Sequence, residues 1–262
     1  LREAMADQGR RWLDEARAAA GQEVPDLPVE AGTVEGETVP TLLAESRGAA
    51  LVVVGSRGLG GFTGMLVGSV ALALATHAHS PVAVVRGPGP DDPPPTEGPV
   101  VVGTDGSPES RRAVEYAFAA ASARAVPLVA VRAWSDALVE GLSAGSARHY
   151  PVFTDLDRVD ADVRDELEQE LADGRARYPD VAVEPVVSRR KPARSLVEYS
   201  GQAQLVVVGN RGHGGFTGML LGSTSRSLIQ HARCPVTVVR APGPDDTAAA
   251  PDDPREDAGA RP

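Results

Sequence analysis

The sequence predicts a tandem α/β protein: a doubly wound parallel five-stranded sheet in the order 3-2-1-4-5, with helices on both faces. Three observations carry that prediction. First, LVVVGSRGLGGFTGMLVGS at residues 51–69 returns as LVVVGNRGHGGFTGMLLGS at 205–223, an offset of 154 residues. Residues 48–92 and 202–246 agree at 30 of 45 positions, so one unit is present twice. Second, short valine-rich runs bounded by Gly or Pro suit strands buried on both faces. Third, these runs alternate with helical periodicity, the pattern of parallel strands joined by crossover helices, which are right-handed.

Taken in order, the second copy begins with PVVVGT (99–104), a buried strand that ends in Asp105-Gly106-Ser107-Pro108. Residues 109–124 follow as a helix, because Ala113, Ala117, Ala120 and Ala121 recur at helical spacing beside Val114 and Phe118. Pro127 stops it, and LVAVRAW (128–134) is the second strand. Beyond a loop with Gly141 and Gly145, residues 156–177 read as a charged amphipathic helix. VAVEPVV (181–187) is the third strand, and residues 192–201 are a short helix opened by Pro192, where proline is tolerated. QLVVVGN (204–210) is the fourth strand, the glycine loop follows, then a helix from Thr217 to His231, and PVTVVR (235–240) is the fifth strand.

The first copy repeats only the later part. Residues 1–20 match the charged helix, PVEAGTV (28–34) the third strand, 40–47 the short helix and 50–55 the fourth strand. Thr63–Ala78 matches the long helix and PVAVVR (81–86) the fifth strand. About 55 residues, carrying the first strand, first helix and second strand, have no counterpart. The chain is therefore read as a piece of a longer tandem protein: a partial domain at 1–86, a Pro-rich linker at 87–98, a complete domain at 99–240 and a disordered acidic tail at 241–262.

The bulk composition narrows the function. Length 262 suits about two domains. Aromatics are only 4%, so the cores are built from Val, Leu and Ala. A net charge of −10 argues against a protein held on nucleic acid by phosphate contacts. The single cysteine, Cys234, aligns with Ser80 and cannot form an internal disulfide. It suits a reducing compartment, so a cytoplasmic protein is expected, and beside Pro235 it reads as a small buried apolar residue. No apolar run approaches the roughly 18–20 residues that span a bilayer, and no signal peptide is visible.

The loop carries the chemistry. Gly209, Gly212, Gly222 and Ser223 have the spacing G-x2-G-x9-G-[ST], matched by Gly55, Gly58, Gly68 and Ser69 in the first copy. Gly209 ends a buried strand, where a side chain would block an approaching ligand. Gly212 is expected to take a positive φ in a tight turn. Gly222 and Ser223 are expected in the first part of the next helix, where free N–H groups and the helix dipole favour an anion. No Lys follows Gly222, so this is not the P-loop, and it does not follow the first strand as a dinucleotide fingerprint does.

With VVVGTDGS at 100–107, the strand ending in Arg132-Ala133-Trp134, and the glycine motif before a PVxVVR strand, the chain resembles the universal stress protein family in its tandem form. The resemblance implies an adenine-nucleotide-binding α/β domain acting in stress or dormancy responses. Its cofactor would be ATP, with or without Mg2+. Carried across by position, Thr104 and Asp105 would contact the nucleoside, Ala133 the adenine, and Gly209, Arg211, Gly212, Gly222, Ser223, Thr224 and Ser225 the ribose and phosphates. The alternative is that Asp105 caps the next helix or closes an Asp-Gly turn; that turn and a ligand contact can coexist, and its place at the switch point favours the ligand contact. The first copy keeps Gly55, Gly58, Gly68 and Ser69 but has Ala71 where the second has Ser225, and it lacks counterparts of Asp105 and Ala133. It is not expected to hold a nucleotide well.

Other signals are read structurally. His77 and His231 sit near the helix C-termini, where a His is favourable; with His79 nearby, no metal-ligand spacing supports a metal site. Arg57 and Arg211 could neutralise phosphate or lie on the surface, and His213, in the loop where the first copy has Leu59, is expected in solvent. Phe62-Thr63-Gly64-Met65 and Phe216-Thr217-Gly218-Met219 read as helix starts, and the acids of 156–173 as a solvated face. The fifth strand is a sheet edge, which invites pairing, and the resemblance implies fifth strands that pair across a pseudo-two-fold axis, so the two copies are expected to pair through Val82–Arg86 and Val236–Arg240. The competing functions are an ATP-binding stress module, a docking scaffold with an empty site, and a slow ATP hydrolase. The hydrolase class that resembles this fold carries an SGGxDS-like loop, which GTDGSPES (103–110) is not, and no Ser-His-Asp or Cys-His set is apparent.

Overall fold

The computed structural model describes residues 2–57, 67–89, 92–134, 156–213 and 220–240. It divides into two compact units, residues 1–41 and 42–262. The first holds helix α1 (Arg2–Glu23), which ends in a turn with Asp26 in the left-handed region at φ 67°. Residues 28–34, expected as a strand, form none. A strand needs a ladder partner for its N–H and C=O groups, and among the described residues no strand pairs with 28–34.

Helix α2 (Thr38–Glu45) straddles the division between the two units. The second unit is one seven-stranded sheet made of β1 (Val52–Gly55), β2 (Val82–Val85), β3 (Val100–Thr104), β4 (Leu128–Ala133), β5 (Val183–Ser188), β6 (Leu205–Gly209) and β7 (Val236–Val239). Its order is β1-β2-β7-β6-β3-β4-β5. Within it the five strands of the complete copy lie in the order 3-2-1-4-5, all parallel. The expected five-stranded parallel order is present, and through the expected pairing of the fifth strands, β2 and β7, antiparallel, it continues into a seven-stranded mixed sheet. The pairing covers Val82 to Val84 against Val238 to Val236, shorter than the stretch expected. Ala83 lies opposite Thr237, its own counterpart in the repeat, so a pseudo-two-fold axis passes through that pair. The two terminal arginines reinforce it. Arg86 Nη1 donates to Ile229 O (2.9 Å) of the second copy, and Arg240 Nη1 donates to Ala78 O (3.3 Å) of the first.

Among the described residues the remaining helices are α3 (Ser69–His77), α4 (Pro108–Arg124), α5 (Leu156–Arg177), α6 (Pro192–Tyr199) and α7 (Ser223–His231). Helix α4 starts where the sequence says it should: Pro108 occupies its first turn and Ser107 caps it, accepting from Ser110 N–H. Two apolar layers sandwich the sheet. Val101, Val129, Val131, Val206 and Val208 face Leu196, Leu228 and Ile229 on one side. Val100, Val102, Leu128, Ala130 and Val207 face Phe118, Leu167 and Leu171 on the other.

The helices after the glycine loops are shorter than expected. They begin at Ser69 and Ser223, not at Thr63 and Thr217, and Gly68 and Gly222 are extended N-caps, not helical residues. The Phe-Thr-Gly-Met segments and Gly58 lie outside the described residues, as does the tail at 241–262.

Candidate functional site

Reversal of strand order between β3 and β6 opens a crevice at their carboxyl ends, the place where open α/β sheets bind ligands. A cavity of about 390 Å³ occupies it, within the roughly 300–1,000 Å³ usual for small-molecule sites. All ten candidate residues of the second copy surround this cavity: Thr104 and Asp105 from the end of β3, Ala133 from β4, and Gly209, Arg211, Gly212, Gly222, Ser223, Thr224 and Ser225 from the loop and the start of α7.

Asp105 joins the two halves. Its Oδ1 accepts from Ser107 N–H (3.1 Å), closing the Asp-Gly turn, and its Oδ2 accepts from His213 N–H (2.7 Å) across the crevice. Gly106 takes φ +81°, which the turn requires. Burial would raise the Asp105 carboxyl, but hydrogen bonds from the Ser107 hydroxyl and from the His213 and Ser107 amides outweigh it and hold the group below the usual carboxylate range. Its side chain remains 39% exposed, so oxygen lone pairs face the crevice.

Two loop glycines, Gly209 and Gly212, have a steric reason. Gly212 does not adopt the positive φ expected of it; a Cβ there would overlap Asp105 Oδ2. Gly209 lets the first turn of α4 approach, since a Cβ there would meet the Glu109 backbone at 3.0 Å. Gly222 N–H donates to Asn210 O (2.7 Å), which closes the loop on itself, and no side chain caps α7. The amides of the first turn of α7 therefore face the cavity's end without a capping side chain. Ser223 is exposed and Thr224 half-buried, so both hydroxyls are open to a ligand. Ser225 is different: buried, its hydroxyl donates to Gly209 O (2.7 Å) and fastens helix to strand. Thr104 is likewise committed, its hydroxyl donating to Glu170 Oε1 (2.7 Å).

Several contributors were not legible beforehand. Val131, Pro192, Leu196 and Val208 supply an apolar wall. His213 does lie mostly in solvent by its side chain, yet its amide holds Asp105 and its Nδ1 is 3.6 Å from Asp105 Oδ1. The acids of α5 are not all a solvated face, because Glu166 and Glu170 grip Arg132. The thiol of Cys234 is buried and pushed up to about 12 by that burial, so it is an inert packing group. Among the described residues no group of three His, Cys, Asp or Glu side chains could hold a metal ion. No described helix is long and apolar enough to cross a membrane.

The first copy keeps the loop closure, with Gly68 N–H donating to Ser56 O (2.8 Å). It has Ala71 in place of Ser225, and among the described residues no strand lies on the outer side of β1. Val53 is consequently 58% exposed where its counterpart Val207 is fully buried.

Fold and crevice together define an α/β protein of the doubly wound class with a ligand cleft at its switch point. The model of the Universal stress protein family matches residues 1–86 and 98–240, and this chain belongs to that family. It is 41% identical over 237 residues to a universal stress protein of Mycobacterium tuberculosis, a match covering 89% of this chain and 77% of the relative. A universal stress protein of Mycobacterium bovis is 42% identical over the same shares. Among solved structures, a universal stress protein from Archaeoglobus fulgidus covers 89% of this chain and 80% of its own, with TM-score 0.60 and 22% identity, a likeness of fold.

Proposed function

We propose that this chain is a cytoplasmic stress-response protein that binds an adenine nucleotide, ATP, in the second-copy crevice. The observation that carries the reading is the junction of Asp105 with the Gly209–His213 bend. It places a carboxylate that can accept from ribose hydroxyls beside a run of backbone N–H groups and an uncapped helix start that can hold phosphates. The Cβ-free surface at Gly209 and Gly212 keeps the bend close to the β3 turn. The wall of Val131, Pro192 and Leu196, with the half-buried Ala133 at the end of β4, suits a flat apolar base. Arg211, exposed at the rim, supplies a cation for the outer phosphates, and Mg2+, if used, would ride on those phosphates.

The chain's own groups bind and orient; among the described residues lining the crevice Asp105 is the only carboxylate, and the Ser107 hydroxyl with the His213 and Ser107 amides holds it low. A binding role, with hydrolysis at most slow, follows. Calorimetric titration of the full chain with ATP, ADP and AMP tests this. Saturable binding at one site per chain supports the reading, and the absence of heat with all three overturns it.

A further inference from the structure

We propose that Arg132 is a positioning residue: gripped by Glu166 and Glu170 of α5, it fixes the Thr104–Ser107 turn and so the attitude of the Asp105 carboxylate at the crevice. Val131 and Ala133 line the cavity, so Arg132 between them points to the opposite face of β4, toward α5. There its Nη2 donates to Glu166 Oε2 (3.0 Å) and, at longer range, to Asp105 O (3.4 Å), while Nη1 lies 3.5 Å from Glu170 Oε2. The same Glu170 accepts from Thr104 through its other oxygen, and Thr104 Oγ1 accepts from Gly106 N–H (3.2 Å).

The turn is therefore held from beneath at three successive residues: the Thr104 hydroxyl, the Asp105 carbonyl and the Gly106 amide. Gly106 also packs against the guanidinium, since a Cβ there would stand 3.0 Å from Arg132 Nη2. Arg132 is only 16% exposed and Glu170 8%, so loss of Arg132 leaves the Glu170 charge without its cation in a mostly buried setting, whereas loss of Glu170 leaves Arg132 held by Glu166 alone. Arg132 touches no part of the cavity, and its influence on a ligand passes through Asp105.

The test has two arms, both on the full chain. Arg132→Met is expected to speed hydrogen exchange about tenfold at the Ser107 and His213 amides, the two that Asp105 holds, and not at Val207 in the sheet core. Unchanged exchange at Ser107 and His213, or an equal rise at Val207, overturns the proposal. The second arm rests on the nucleotide reading above. Arg132→Met is expected to weaken ATP about tenfold and 2′,3′-dideoxy-ATP, which lacks the hydroxyls Asp105 would hold, less than twofold. Equal losses for both ligands overturn it. If the unmodified chain binds neither nucleotide, the nucleotide reading falls while the exchange arm still decides the role of Arg132. Glu170→Gln, which keeps shape and loosens only the grip, should shift exchange in the same direction by a smaller factor. It serves if Arg132→Met does not fold.

Discussion

Gly212 and Asp105 stand 107 positions apart in the chain and are in such close contact that any Cβ on the glycine would overlap the Asp105 Oδ2 atom. The contact holds the glycine bend against the end of β3, and it does so beside the His213 amide that donates to the same oxygen. Gly212→Ala must therefore push the carboxylate aside. It should weaken ATP at least about tenfold in calorimetry while shifting the melting temperature by only a few degrees, because both groups lie at a loop surface rather than in the core. Retained affinity in a folded variant contradicts the role given to this contact.

Asp105 also makes stability depend on acid. Its folded-state carboxyl is held below the ordinary value, so the unfolded chain takes up the proton more readily as pH falls. The contribution is present above the unfolded carboxylate range, about pH 4, and is lost as pH falls through the lower folded value. Comparing melting temperatures of the unmodified chain and Asp105→Asn should show a gap near neutral pH that closes below about pH 4. A gap that widens in acid contradicts the sign.

Ser225→Ala removes a buried hydroxyl that bonds Gly209 O and leaves that carbonyl without this partner. The loss should be about 1–3 kcal/mol in denaturant unfolding. Ser223→Ala, at an exposed position, should leave stability within about 0.5 kcal/mol.

Helix α5 depends on Gly174, where a Cβ would overlap the Phe118 ring. Phe118 is fully buried and stacks on Tyr178 at 6.0 Å between centroids. Gly174→Ala should cost about 1–3 kcal/mol through overpacking. Combining it with Phe118→Leu should cost less than the two single losses together, because the smaller side chain removes the clash. Strict additivity in unfolding experiments contradicts the packing described.

Much of this was legible in the sequence. The valine runs, the Gly and Pro punctuation and the 154-residue repeat identify the strands of the complete copy to within a residue or two, because each depends on local pattern and each is flanked by a breaker. Residues 28–34 carry the same local pattern and form no strand, because a strand is completed by neighbours and local composition does not report them. The helix after the glycine loop was drawn too early for a related reason: Gly222 bonds back to Asn210 and caps, and spacing alone cannot distinguish a capping glycine from one inside the first turn. The recurring loop and the place of Asp105 at a strand end mark the site, while the full residue set, Thr104, Ala133 and Ser225 included, is what the family resemblance implies. That a Cβ at Gly212 would meet Asp105 is not legible in the loop, because that neighbour is distant in the chain. The grip of Glu166 and Glu170 on Arg132 was invisible for the same reason, hidden among acids that look solvated.

The most direct test follows backbone amides by NMR as ATP is added to the full chain. Shifts are expected to concentrate at Asp105, Gly209, Arg211, Gly212 and Ser223–Ser225, with the first-copy counterparts Gly55 and Ser69 nearly still. Saturation that moves the first-copy loop instead, or that leaves the Asp105 and Gly212 amides where they were, would contradict the proposed site.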